Sequence, residues 1–194
     1  MSSKMRFVLG ITGASGIPIG VRVAEKLADE GKLFTVVSDA AKKVMEYETD
    51  DKEDTMRKLG EYSEDVYGED EIEAPIASGS FDTRGMVIAP CSMNTLGSLA
   101  HGLSSNLVER AGDVCIKERR KLVLVPRETP LGQIHLENMH KLSEAGVDIV
   151  PPMLGFYFGP DTIDDLVDYV TGKVLERFGI KNKMYRKWNC VLDE

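Results

Sequence analysis

Residues 5–27, MRFVLGITGASGIPIGVRVAEKL, decide how the rest of the chain reads. Met5–Ile11 is a short apolar run of the kind a strand covered on both faces requires. Thr12–Gly16 is a turn of small residues, after which Val21, Val23, Ala24 and Leu27 recur at helical spacing. Strand, glycine turn and helix in that order make the first half of a βαβ unit. The alternation continues outward from there. Phe34–Val37 predicts a second strand, Ser38 opens a helix to about Tyr47, and Asp51–Leu59 predicts a charged amphipathic helix. Met86–Ala89 predicts a third strand, followed by helices over Thr95–Ala100 and Leu107–Ile116. Leu122–Val125 and Val147–Val150 predict two more strands, with a helix over Leu131–Glu144 between them. The last helix spans Ile163–Phe178, with Ile163, Leu166, Val167, Val170 and Val174 on one stripe.

Short strands alternating with helices argue for a parallel sheet with helices on both faces. Ligands of such sheets bind beyond the carboxyl ends of the strands, beside a topological switch point. The polar clusters obey that rule: Thr12–Ser15, Ser38, Cys91–Thr95 and Arg127–Thr129 each follow a strand, as does the segment holding Tyr157. The acidic stretch Glu46–Glu73 reads as a solvated surface excursion.

At 194 residues the chain has the length of one α/β domain. Its 24 basic against 32 acidic residues give a net charge of −8, so no nucleic-acid-binding surface is expected and phosphate chemistry belongs in a local pocket. No apolar run approaches the ~20 residues of a membrane span. The start lacks a signal-peptide pattern, which predicts a cytoplasmic location. Cys91, Cys115 and Cys190 form no CxxC pair, and His101, His135 and His140 have no ligand spacing, so no metal site is expected.

Gly13-Ala14-Ser15-Gly16 matches neither the dinucleotide nor the nucleoside-triphosphate glycine pattern. It reads either as an anion cradle, with the following helix offering free N–H groups, or as a tight turn with Ser15 near the helix cap. Ser92, Met93, Asn94 and Thr95 repeat the ambiguity, as caps or as ligand contacts. The stretch from Arg110 through Lys117 to Arg127-Glu128 concentrates cations, and Arg127-Glu128 is expected to be a buried pair, which is costly without a role. Tyr157 lies in an aromatic loop that is a core plug or a pocket wall. Lys173 sits alone on the last helix. Trp188, the only tryptophan, is expected to pack on its own domain or on a neighbouring subunit.

Together these segments resemble the flavin prenyltransferases, UbiX-like proteins formerly described as aromatic-acid decarboxylases. The resemblance runs through ITGASG (11–16), SDAAKKVMEYETD (38–50), SGSFDTRGMVIAPCSMNTL (78–96) and NLVERAGDVCIKERRKLVLVPRETPLGQIHLENM (106–139) to PPMLGFYFGP (151–160) and RKW (186–188). Two departures stand out: Ile17-Pro18-Ile19, where many members carry Tyr before the second Gly, and Lys173, where some carry Arg. The resemblance implies a Rossmann-like, flavodoxin-type three-layer α/β sandwich with a parallel sheet. It implies one FMN-binding domain over residues 1–180, with 181–194 as a C-terminal tail packing at the active site or a subunit interface. It also implies a homododecamer.

The implied reaction joins a dimethylallyl group, from dimethylallyl phosphate, to N5 and C6 of reduced FMN. The product, prenylated FMN, goes to a UbiD-type decarboxylase. Carried over by motif, Gly13, Ala14, Ser15, Ser38, Ser92, Met93, Asn94, Thr95 and Arg127 hold FMN. Arg110, Lys117, Tyr157 and Lys173 hold the donor phosphate, and Ser15, Glu48, Glu128 and Trp188 are catalytic. Cations and hydroxyls then stabilise the departing phosphate without a metal. Glu128 supplies its proton, Trp188 stabilises the allylic cation, and Glu48, through Ser15, takes the C6 proton. Two rivals share the flavin pocket. One is an FMN-dependent cysteine decarboxylase, which uses an early-chain histidine, whereas no His precedes His101 here. The other is a passive flavin carrier.

Overall fold

Along the first strand, Phe7, Leu9 and Ile11 point to one face of a sheet and Val8 to the other, and all are buried. That period-two burial on both faces is what an interior parallel strand requires. The computed structural model describes residues 5–188. Within them the strands are β1 (Arg6–Ile11), β2 (Lys32–Val37), β3 (Asp65–Gly68), β4 (Gly85–Cys91), β5 (Lys121–Pro126) and β6 (Asp148–Ile149). The helices are α1 (Ile17–Glu30), α2 (Asp39–Glu48), α3 (Lys52–Tyr62), α4 (Met93–Ala100), α5 (Leu107–Lys117), α6 (Gln133–Glu144) and α7 (Ile163–Arg177).

All strands are parallel and lie in the order β3-β2-β1-β4-β5-β6. The winding reverses between β1 and β4, which is the topological switch point. Helices α1, α2, α3 and α7 cover one face of the sheet; α4, α5 and α6 cover the other. The result is the three-layer α/β sandwich expected from the alternation of elements. Without β3 the remaining strands have the flavodoxin order, and β3 extends the sheet at the β2 edge.

Three expectations need correction. The Glu46–Glu73 stretch is no simple solvated excursion. The amphipathic helix expected over Asp51–Leu59 forms as α3, with Leu59 fully buried, and the stretch also contributes β3, an unexpected strand whose Val66 packs on the core. The fifth expected strand pairs only over Asp148–Ile149, because the chain leaves β5 ahead of Pro151. On α7 the buried stripe holds Val167, Val170 and Val174, but Ile163 is 78% exposed at the first turn, beyond the core.

Helix α1 lies flush on the sheet because Gly20 has no side chain. A Cβ there would run into the carbonyl oxygen of Ala89 on β4, a backbone atom that cannot swing away. We expect Gly20→Ala to destabilise the fold by about 1–3 kcal/mol through this overpacking. The check is a urea midpoint that falls while the m-value stays constant.

Candidate active site

The carboxyl ends of β1 and β4 are tied together by one buried residue, Thr12. Its hydroxyl donates to the Pro90 carbonyl (2.9 Å) and accepts from the Ser92 N–H (2.8 Å), while its own N–H donates to Pro90 O (3.1 Å). Beyond this tie, three helices begin around one space. Ser38 caps α2 by accepting from Ala41 N (3.0 Å), Ser92 caps α4 by accepting from Thr95 N (3.2 Å), and Asn106 caps α5 by accepting from Glu109 N (3.0 Å). The cavity they enclose is about 320 Å³ and is lined by Thr12, Gly13, Ser38, Ser92, Asn94 and Thr95, with Ala40, Glu69, Asn106 and Val108 closing it. Three positive helix ends and several hydroxyl and amide groups suit a phosphate ester. Gly13 is required by contact: a Cβ would collide with that of Ala40, so the turn and α2 already touch. One carboxylate, Glu69, lies in the wall and accepts the Asp39 N–H (2.9 Å). Ala14 is buried in the turn and Met93 packs on the core below α4.

The start of α1 is different, and it narrows the two readings left open for the glycine turn. Its N–H groups are not left for a phosphate: Glu48 Oε2 accepts from Gly16 N (2.8 Å) and Ile17 N (2.9 Å). Pro18 has no N–H to offer. The carboxylate of Glu48 is thus the anion that the helix end holds, and no side-chain cap comes from Ser15. The same bonds seat Glu48 one residue from Ser15, which is half-buried in the turn. Gly16, with φ at 118°, supplies the left-handed bend between them.

Arg127 and Glu128 border a second cavity of about 380 Å³, walled by Pro130, Leu131, Met139 and Pro151–Met153. The Arg127 N–H donates to Cys91 O (3.3 Å), which sets this residue beside the end of β4 and the first cavity. The expected buried Arg127–Glu128 pair does not form. Both residues are exposed, and Glu128 instead accepts the Thr129 N–H (2.9 Å). The sheet ends at Pro126, and nothing among the described residues covers them.

Tyr157, Lys173 and Trp188 share a third concavity of about 400 Å³ with Glu176, Arg177, Tyr185 and Lys187. The Trp188 and Tyr157 rings are 5.5 Å apart, edge to face, and Lys173 Nζ lies 4.7 Å from the centre of the Tyr185 ring. Burial raises the pKa of the Tyr157 hydroxyl, as does the neighbouring Tyr169. Arg110 and Lys117 are elsewhere. Arg110 donates to Ala77 O (3.1 Å) and pairs with Asp113, and Lys117 pairs with Glu118. Helix α5 runs against the strand direction, so Lys117 lies about 15 Å along the axis from the end that faces the first cavity. One chain does not bring it to the other site residues.

Sequence reasoning missed Glu69, Asn106, Glu176 and Lys187. An Asn directly before the periodic Leu107 helix is a cap signal that could have flagged Asn106. The others are brought in by tertiary contact alone. Among the described residues no cluster of His, Cys, Asp and Glu is arranged to hold a metal, and no helix is long and apolar enough to cross a membrane.

The family model of flavoproteins matches residues 1–175. The flavin prenyltransferase UbiX of Halalkalibacterium halodurans is 47% identical, covering 94% of this chain and 92% of that protein. The enzyme of the same name from Thermoplasma acidophilum is 45% identical over 95% of this chain and all of its own. A dodecameric FMN-dependent UbiX-like decarboxylase from Escherichia coli superposes with a TM-score of 0.90 at 44% identity, covering 95% of this chain and 99% of that one. AnUbiX, solved with FMN and dimethylallyl pyrophosphate, gives a TM-score of 0.91 at 37% identity, covering 96% and 98%. The FMN-dependent cysteine decarboxylase TvaF shares the fold alone, at 15% identity and a TM-score of 0.63. On this match along nearly its whole length, the chain belongs to the flavoprotein family and, within it, to the UbiX-type flavin prenyltransferases.

Proposed function

We propose that this protein transfers a dimethylallyl group from dimethylallyl phosphate to N5 and C6 of reduced FMN. The prenylated FMN then serves a UbiD-type decarboxylase in the cytoplasm. The observation that carries this reading is the switch-point cavity: three helix N-termini and the Thr12–Ser92 tie form a phosphate cradle, Arg127 is tied by its N–H to the end of β4 that leads into it, and Glu48 holds the turn that follows Gly13. Bound reduced flavin supplies the two nucleophilic atoms. Ser38 and Ser92–Thr95 hold its phosphate, and Gly13 lets the backbone approach it. Arg127, Tyr157 and Lys173 stabilise charge on the donor phosphate as the allylic C–O bond breaks. Glu128 delivers a proton to that phosphate. The proton lost from N5 passes to the inner alkene carbon as the prenyl double bond is consumed by C6 attack, and Glu48 takes the proton released at C6.

Lys117 enters this scheme from a neighbouring subunit, because α5 points it away from its own chain's cavity; Arg110, held in its own chain by Ala77 O and Asp113, joins it there. A dodecamer provides such neighbours. Exposed Leu131, Ile134, Met153, Leu154 and Phe156 form the apolar surface that assembly would cover.

The decisive experiment is anaerobic incubation of the protein with reduced FMN and dimethylallyl phosphate, followed by mass and absorbance of the recovered flavin. A flavin heavier by one prenyl unit with altered absorbance is expected; unmodified FMN overturns the reading. The supply of cationic side chains leads us to expect full activity in EDTA. Activity lost to EDTA and restored by Mg²⁺ would contradict that part of the scheme.

A further inference from the structure

Two lysines from different elements meet at one carboxylate in the third concavity. Lys187 Nζ lies 2.9 Å from Glu176 Oε1, and Lys173 Nζ lies 3.8 Å from Oε2 of the same side chain. The Tyr185 hydroxyl also donates to Glu176 (2.8 Å). The segment that carries Tyr185 and Lys187 is seated closely on α7. Asn182 donates to the Gly172 carbonyl (3.1 Å), and a Cβ on Gly172 would press on the Tyr185 ring (2.8 Å). The Glu176 side chain is only 19% exposed, whereas Lys173 and Lys187 reach further into solvent, at 36% and 50%. Burial pushes the Glu176 pKa up, but the bonds from Lys187 and Tyr185 and the Lys173 charge outweigh it, so the carboxyl titrates below its ordinary range. The carboxylate is therefore the floor of the concavity and the ammonium groups are its rim. With Arg177 also lining it, cations exceed anions there by 3 to 1.

We propose that Glu176 is a positioning residue that pins segment 182–188 to α7 and holds Lys187 beside Lys173, so that both ammonium groups act on the phosphate of the dimethylallyl donor. The proposal rests on the prenyl-transfer reading and adds Lys187 to the phosphate contacts. Two like charges converge only where a counter-charge holds them, and Glu176 is the anion that both lysines contact. The segment also carries Trp188 to Tyr157, so one anchor sets both the phosphate clamp and the aromatic wall.

Trp188, the sole tryptophan, makes the test direct. The full-length protein with oxidised FMN bound is titrated with dimethylallyl phosphate, so that binding occurs without transfer, and Trp188 fluorescence is followed. The parent should show a saturable change. Glu176→Gln, which keeps an acceptor for Tyr185 but loses the charge, should weaken donor binding about tenfold while FMN affinity stays at the parent value. Lys187→Gln should do the same, the double variant should be no worse than either single change, and Glu176→Asp should recover part of the loss. Donor binding by Glu176→Gln at parent affinity overturns the proposal, as does a parent that gives no response to the donor. If Glu176→Gln fails to fold, Lys187→Gln decides: unchanged donor affinity refutes the clamp and weakened affinity supports it. The anaerobic mass measurement reports on prenyl transfer separately, so loss of one reading is distinguishable from loss of the other.

Discussion

Glu48→Gln should give a flavin that is prenylated by mass but not by absorbance. In the parent, Glu48 Oε2 alone accepts both the Gly16 and Ile17 N–H groups. A glutamine carbonyl oxygen can occupy the same place and keep the cap, whereas an amide cannot take a proton. The substitution thus removes basicity and leaves the turn formed. In the proposed scheme, breaking the C–O bond and joining the first carbon depend on Arg127, Tyr157, Lys173 and Glu128, all retained. Ring closure needs a proton acceptor, and its loss slows that step by ~10²–10⁴. Anaerobic single-turnover spectra and mass of the recovered flavin are the measurement. Closed-ring product at the parent rate, or untouched FMN, would show that Glu48 is only a cap.

Glu128→Gln should stall earlier, leaving unmodified flavin. Glu128 borders the same cavity as Arg127, and its carboxylate accepts the Thr129 N–H, a bond that the amide oxygen can keep. In the proposed scheme what disappears is the proton for the departing phosphate, at a cost of ~10²–10⁴ in the first step. A diphosphate is a better leaving group and depends less on that proton, so dimethylallyl diphosphate should narrow the gap between variant and parent. A uniform loss with both donors would assign Glu128 to binding instead.

The β1–α1 unit was legible because each part carries its own local signal: an apolar run, small turn residues, then helical spacing. The capping role of Glu48 was not, since it joins groups 32 residues apart and depends on how α2 docks. Strand β3 was hidden because Asp65–Gly68 is only four residues long and sits in an acidic run; it exists by pairing with β2. The Arg127–Glu128 pair was read correctly as following a strand and wrongly as buried, because sequence does not say where covering elements end. Lys117 was grouped with Arg127 by charge, yet in an alternating α/β chain a helix runs opposite to its strands. That topology, once inferred, already separates the two ends of α5.

The Glu48 cap also bears on how the chain matures. During synthesis β1 and α1 emerge from the ribosome before residue 48 does, so the turn between them cannot reach its final form as an isolated strand–helix unit. Until α2 is complete and docked, the start of α1 is an open anion-binding helix end. The glycine turn therefore becomes a finished structure only when the second βα unit closes it, and a fragment that stops before Glu48 carries the motif without its geometry.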